Sequence, residues 1–389
     1  MSSNRKLVHL EGMRALMALN VILCHFVCVY YPQMYFKGEE YSGALSIFAT
    51  TPLSALVNGN IAVAFFFALT GFLVGRSVFL KADGIKVLPG KLGNRYLRLL
   101  PTIAIATLFT YISMKVGLQS HLEITNTNVN AEYLSGYCNF NATIGSLLAN
   151  IFFEPFVRTS SYVGLFWTIK YEFWGYIMVF AVATLLKETK WRRLIYIVIV
   201  GALGLIVRDS YLCIFIFGLL VADLEYNTKP TVCSKLYSKL LRSKAFVTVC
   251  FFVATYFACC PMYRDTKLYS FWFKLPALSP TLFRGFGMAL FVWVSLKSQC
   301  IQRVLSFKPL VFLGEMSFES YAIHWPLMLT CEAGIFLVLE KHMQYHAAAL
   351  LSFVITLIVI YACSYLFSLL TKQINKGIYT LQTTFTKKT

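Results

Sequence analysis

Long apolar runs, divided by short basic segments, recur through the whole chain. They fall at about 15–31, 58–79, 99–117, 163–186, 194–208, 210–226, 245–261, 282–297, 309–338 and 347–371. A helix needs about 20 predominantly apolar residues to cross a bilayer. In lipid the backbone must satisfy its own polar groups, which leaves helices and closed barrels as spanning structures. The pattern predicts an all-α fold: a polytopic membrane helix bundle of about ten transmembrane helices, forming one domain over residues 1–389. The run 144–157 is too brief to span and ends at Glu154-Pro155, so it reads as re-entrant or interfacial. The fifth and sixth runs are separated only by Arg208-Asp209. Arg5 and Lys6 precede the first run in the manner of a signal peptide. No small-x-small cleavage site follows, and His25 interrupts the run, so it reads as a retained first span.

Composition agrees and narrows the class. Apolar residues make up 58% and charged residues 13%, against about 45–50% and about 25% in ordinary soluble domains. Mean hydropathy is +0.65. This excludes a soluble enzyme, a disordered chain and a secreted disulfide scaffold. The net charge of +18 is first a topology signal. With the N-terminus inside, cytoplasmic segments hold 24 Lys and Arg and outer segments hold 7, as the positive-inside rule requires. Both termini are then cytoplasmic, and no nucleic-acid role is implied. The eleven cysteines lie mostly inside apolar runs and show no zinc spacing, so no metal is expected. The largest outer loop, 118–162, is rich in Asn, Thr and Tyr and carries a sequon, Asn141-Ala142-Thr143.

Ionisable residues at bilayer depth are costly and each asks for a reason. Arg14 and His25 are eleven residues apart in the first run. On a helix that separation is about 16 Å of rise and roughly 20° from one face. This geometry suits an elongated anionic ligand with its charge near the inner surface and its reactive end at His25. The bland alternative is an Arg14 that snorkels to headgroups and a His25 bonded within the bundle. Glu172 lies about ten residues into the fourth run and His324 about fifteen into the ninth. By depth, His25, Glu172 and His324 approach one layer, which predicts an acid–base cluster. The alternative is a His–Glu hydrogen bond that serves packing. Pro326 is expected to break the helix after His324 and free backbone carbonyls.

Two further segments carry weaker signals. Asn58-Gly59-Asn60 opens the second run, where Thr70-Gly71 is a small pair that lets another helix approach. Arg95 and Arg98 are three residues apart beside the membrane and share a helix face. Paired guanidiniums suit phosphate by forked hydrogen bonding. The alternative is that they only obey the positive-inside rule.

Together these segments resemble the acyltransferase 3 family of integral-membrane O-acyltransferases. The resemblance includes Leu10-Glu11-Gly12-Met13-Arg14-Ala15 with His25 after it, then Asn58-Gly59, Ala62-Val63 and the run through Phe72. It continues with Arg95, Arg98 and Pro101, then Trp167-Thr168-Ile169 with Glu172. It closes with Leu313-Gly314, Ser317, Tyr321 and His324-Trp325-Pro326. The pieces occur in family order over residues 10–326. Thr70 stands where the family usually has Ser, and Phe173-Trp174-Gly175 replaces a more usual Glu-Gln-Phe. A second carboxylate is therefore missing there. The hydrolase-like domain fused to some members is not seen.

The resemblance implies a standalone O-acetyltransferase. Acetyl-CoA would be the donor on the cytoplasmic side. The acceptor would be a hydroxyl of a carbohydrate, lipid-linked or at the cell surface, such as O-antigen. It maps the activity-linked Arg…His pair onto Arg14 and His25. The catalytic set is then His25, Glu172 and His324, with Arg14, Arg95 and Arg98 for the coenzyme A phosphates. The expected site is the bacterial cell inner membrane, among membrane lipids. The competing readings are a multi-pass transporter, for which the expected inverted repeats are not found, and the acyl-exporting half of a two-protein system.

Overall fold

Inside each apolar run the backbone has only itself to bond, and helix is the outcome. A computed structural model describes residues 7–36, 43–80, 84–207, 210–228, 243–261, 267–274 and 279–386. Among the described residues there is no strand. The principal helices are α1 (Val8–Tyr30), α2 (Gly59–Leu80), α3 (Leu88–Lys115), α4 (Ala131–Ser135), α5 (Ile144–Phe152) and α6 (Trp167–Leu186). They continue with α7 (Arg192–Ala202), α8 (Ser210–Tyr226), α9 (Lys244–Ala258), α10 (Pro280–Lys297), α11 (Ser317–Leu327), α12 (Ala333–Leu339) and α13 (Tyr345–Thr386). Shorter turns join them.

Six helical stretches among the described residues are long and apolar enough to cross a membrane: Val8–Tyr30, Gly59–Leu80, Ile85–Lys115, Gly164–Leu186, Ser317–Leu339 and Tyr345–Gly377. The other four predicted runs are helical as well, but α7, α8 and α9 are only 11, 17 and 15 residues long. Helix α10 has 18 residues and carries the buried Arg284. The Arg208-Asp209 pair lies outside the described residues.

Three boundaries differ from the sequence expectation. Helix α3 starts at Leu88, well before the apolar run at 99, and passes through Pro101. Helix continues wherever backbone bonds can, so an amphipathic stretch precedes the apolar one. The ninth run is not one helix. A short helix, Lys308–Glu315, stops before Met316, and α11 begins at Ser317. Nor does Pro326 break α11. The helix runs through it and then widens into a π-helical turn, Met328–Glu332, before α12. The looser i→i+5 turn absorbs the disturbance that a proline makes in an i→i+4 ladder.

The chain divides into two compact units. The first consists of Met1–Val21, Gln33–Pro89 and Tyr171–Phe312. Lipid tails are as apolar as leucine, so helices in it are held by close packing and polar contacts rather than by hydrophobic burial. Small residues make that packing possible here. A Cβ added to Gly218 of α8 would sit 2.0 Å from the Ala68 carbonyl oxygen of α2, and one on Gly71 would sit 2.1 Å from that of Phe215. The approach anticipated at Thr70-Gly71 is thus present. Gly12 of α1 lies equally close to the Leu305 carbonyl, at 1.9 Å by the same measure. Phe67 stacks on Phe215 at 4.7 Å between ring centres. Asp223 is fully buried and takes bonds from Arg192 Nε at 2.5 Å and Arg193 Nε at 2.6 Å.

The second unit consists of Ile22–Pro32, Gly90–Lys170 and Leu313–Thr389. It holds the C-terminal part of α1, the polar loop 118–162 and helices α11 to α13. Ile22, Ile323, Leu327 and Ile360 form its apolar centre, and Phe26 stacks on Phe353 at 4.3 Å. The segment 144–157 forms α5 and a separate turn, Glu154–Val157, with the break at Phe153. Glu154 organises the end of the loop. It accepts from Asn150 Nδ2 at 2.7 Å, Ser161 Oγ at 2.7 Å and Arg158 at 2.6 Å. Burial alone would raise its carboxyl, but the bonds from Ser161, Arg158 and Asn150 outweigh it and hold the group below its ordinary value.

Gly218→Leu should disrupt the α2–α8 crossing, at a cost of about 1–3 kcal/mol or more from overpacking. The midpoint of thermal unfolding in detergent should fall. Gly201→Leu, where a Cβ meets open space, should leave it unchanged. A second outcome follows from Glu154. Because its folded pKa is depressed, its contribution is present above the ordinary carboxylate range and is lost as pH falls through the folded value. Proteolysis of loop 118–162 should accelerate below about pH 4 in the wild type. Glu154→Gln should flatten that dependence.

Candidate functional site

His25 lies on α1, in the second-last turn before its C-terminal end at Tyr30, and the second unit builds a shell around it. Its ring centre is 5.4 Å from that of His324 and 4.9 Å from that of Trp325, both on α11. His25 Nδ1 lies 3.0 Å from the Tyr133 hydroxyl. The Trp325 ring also meets Tyr137 at 4.8 Å and Tyr133 at 5.7 Å. Two imidazoles and an indole therefore share one contact cluster, covered by two tyrosines of loop 118–162.

Local rules put each group there. Asn130 caps α4, its side chain accepting from Tyr133 N at 3.1 Å, a role for which Asn is well suited. The Asn130 backbone N–H donates to the Val29 carbonyl at 2.9 Å, which ties the loop to α1 four residues from His25. His121 adds a second tie, its ring nitrogens lying 3.1 Å from the carbonyls of Leu329 and of Tyr137. Burial lowers the His121 pKa, partly opposed by those two carbonyls. On α11, the Tyr321 hydroxyl bonds the Thr168 hydroxyl at 2.7 Å and the Leu165 carbonyl. The Trp167-Thr168-Ile169 motif thus reaches the helix that carries His324.

The two histidines differ in a way that assigns their protons. His324 Nδ1 lies 2.8 Å from the Tyr321 carbonyl and 3.2 Å from that of Ser320. Carbonyl oxygens only accept, so Nδ1 carries the hydrogen and Nε2 the lone pair. That Nε2 is buried and has no hydrogen-bond partner in the structure. His324 is fully buried, whereas His25 is partly exposed. Of the pair, His25 is the more exposed.

The remaining expected residues fall as follows. Arg14 lies in the first unit, 3.0 Å from Glu11. Glu172 also belongs to the first unit, where the Thr70 hydroxyl donates to its oxygens at 2.9 and 3.2 Å. Arg95 and Arg98 lie in α3, the first half-buried and the second exposed. Of the expected set, the second unit brings His25 and His324 together, and within the first unit Glu172 accepts from Thr70. No group of acidic, His and Cys residues suited to a metal ion occurs among the described residues.

These residues carry the motifs of a known family across the length of the fold. The sequence profile of its acyltransferase domain matches residues 7–369, nearly the whole chain. The chain belongs to the acyltransferase 3 family. No curated protein and no solved structure matches it. This acyltransferase is an integral membrane protein, by its apolar helices and its family.

Sequence reasoning missed two features of the acyltransferase. One is Tyr133, which sits in a polar loop with no periodicity to mark it. The other is Glu332, at the end of the π-helical turn, fully buried with both carboxylate oxygens unpartnered. An acidic residue deep in an apolar run is itself a signal, and Glu332 follows twelve residues without another acidic group in the ninth run.

The Thr70–Glu172 contact can be tested through the hydroxyl that Ser and Thr share. Thr70→Ser should keep the thermal midpoint of the purified protein. Thr70→Val removes the donor and should cost about 1 kcal/mol, near the low end for a lost bond to a charged group.

Proposed function

We propose that this acyltransferase moves an acetyl group from cytosolic acetyl-CoA to a hydroxyl of a cell-surface polysaccharide, such as O-antigen, in a bacterial inner membrane. The observation that carries the reading is the paired imidazole cluster: a partly exposed His25 against a buried His324, within a chain of acyltransferase 3 membership. His25 acts as general base. Its Nε2 takes the proton of the acceptor hydroxyl as that oxygen attacks the thioester carbon. The tetrahedral intermediate collapses with cleavage of the C–S bond. The same proton then passes from His25 to the departing sulfur, so ester and free thiol are the products. No net proton is gained or lost.

His324 supports the base from behind. Its own proton is spent on two backbone carbonyls, so it presents a lone pair rather than a positive charge to the imidazolium that forms on His25. That difference favours the charged intermediate over a site with two cations. Glu172 is retained as the carboxylate that the family motif names, managing the proton. The donor's phosphates are assigned to Arg14, Arg95 and Arg98, because guanidiniums pair with phosphate in fixed, forked geometry. Arg14 would exchange its pairing with Glu11 for the donor. The assignment rests on the Arg14…His25 motif and on the two arginines of α3. With 24 of the Lys and Arg residues on the inner side in the ten-span reading, the donor arrives where the positive charge is.

Deletion of the gene in its host, with complementation, tests the whole proposal by mass spectrometry of surface glycan. Acetyl groups should disappear and return with the wild-type chain. At matched expression, His25→Ala should lower acetylation by about 100-fold or more, the usual worth of a general base. Arg14→Ala should weaken acetyl-CoA binding roughly tenfold, about 1.4 kcal/mol. Normal acetylation by the His25 variant would remove the base assignment.

A further inference from the structure

The role given to His25 requires a particular tautomer. A lone pair must stand at Nε2, and the hydrogen must sit on Nδ1. Helix α1 supplies nothing that sets this choice, whereas for His324 two backbone carbonyls do. The group facing His25 Nδ1 is the Tyr133 hydroxyl, 108 residues away in sequence and 3.0 Å away in space.

We propose that Tyr133 is a positioning residue that accepts the Nδ1–H of His25 and so holds its Nε2 free as the base. The inference rests on the reading of His25 as the general base. Three observations support it. The loop is fixed where it must be, by the Asn130 cap on Tyr133 N and the Asn130–Val29 bond to α1. Ring contacts leave the imidazole little room to turn, with Trp325 at 4.9 Å and His324 at 5.4 Å. And the Tyr133 hydroxyl has a place for its own proton, because its side chain is hydrogen-bonded to that of Tyr137.

The phenols order the chain of donors. Burial holds the Tyr133 phenol well above its ordinary value, with further contributions from Cys28 and Tyr137, so it stays an O–H. Burial raises Tyr137 too, and its bond with Tyr133 acts in the opposite sense. A hydroxyl offers one hydrogen and two lone pairs. In the proposed order the Tyr133 hydrogen goes to Tyr137 and one of its lone pairs to Nδ1–H. The alternative, donation from Tyr133 to Nδ1, would put the hydrogen on Nε2 and cover the only lone pair with a tyrosine. That arrangement leaves no base. The logic is the general one by which the partner of one ring nitrogen decides what the other can do.

The experiment uses the full chain in lipid nanodiscs with 15N-labelled histidine, the His25 signals being identified by their loss in His25→Asn. Wild-type His25 should be protonated at Nδ1, and Tyr133→Phe should shift the population toward Nε2–H. Tyr133→Phe should reduce surface acetylation by about ten- to hundredfold while acetyl-CoA titration shows a Kd within twofold of wild type. Tyr137→Phe keeps Tyr133 but removes the acceptor of its proton, and a smaller loss of about three- to tenfold is expected. Wild-type His25 protonated at Nε2, an unshifted tautomer in Tyr133→Phe, or full acetylation by that variant overturns the inference. Full activity in His25→Ala overturns the base reading itself, and is seen without any change at Tyr133.

Discussion

A polar atom inside hydrocarbon has no water to fall back on, and this constraint shapes both units of the protein. Where partners exist they are specific. Asp223 is enclosed by Arg192 and Arg193, Glu225 accepts from Trp293 Nε1 at 2.9 Å and Lys297 Nζ at 2.7 Å, and Thr70 donates to Glu172. Against that background the buried atoms without partners stand out. In the second unit they include His324 Nε2, Trp325 Nε1 and both oxygens of Glu332. All four lie on one stretch of chain, α11 and the π-helical turn after it. Other buried atoms without a partner, such as Gln119 Oε1 and Thr356 Oγ1, lie elsewhere in the same unit.

The two units meet the constraint by different means. The first relies on close backbone approach. Gly71 and Gly218 bring α2 and α8 together, and Gly12 lets α1 meet the Leu305 carbonyl. The second relies on a polar loop whose hydrogen bonds are local and numerous, from the Asn130 cap to the bonds that converge on Glu154. That loop does more than close an end. Through Tyr133 and Tyr137 it becomes one wall of the histidine cluster, so a segment with no apolar pattern forms part of the candidate site.

Family membership and geometry bear on different questions. The acyltransferase 3 match defines the class of reaction. The geometry divides labour between two imidazoles that the motifs name separately. His324 is locked by carbonyls and fully buried, while His25 is partly exposed and bonded to the Tyr133 hydroxyl. The two imidazoles therefore sit in different surroundings.

Much was legible in the residues alone. Apolar runs of the right length dictate helices, because lipid leaves the backbone no other choice, and the cost of burying His25, Glu172 and His324 marks them individually. Helix ends were less legible. The amphipathic start of α3 and the break at Met316 depend on backbone bonding, which an apolarity pattern does not report. Pro326 signalled a disturbance but not its form, since a π-helical turn and a kink are alternative ways to relieve the same clash. What tertiary structure alone decided is pairing. His25 and His324 are 299 residues apart and Tyr133 lies between them in the chain. Depth along a helix specifies height in the membrane but not which face meets which neighbour. That choice is made when α1, α11 and the loop 118–162 pack together.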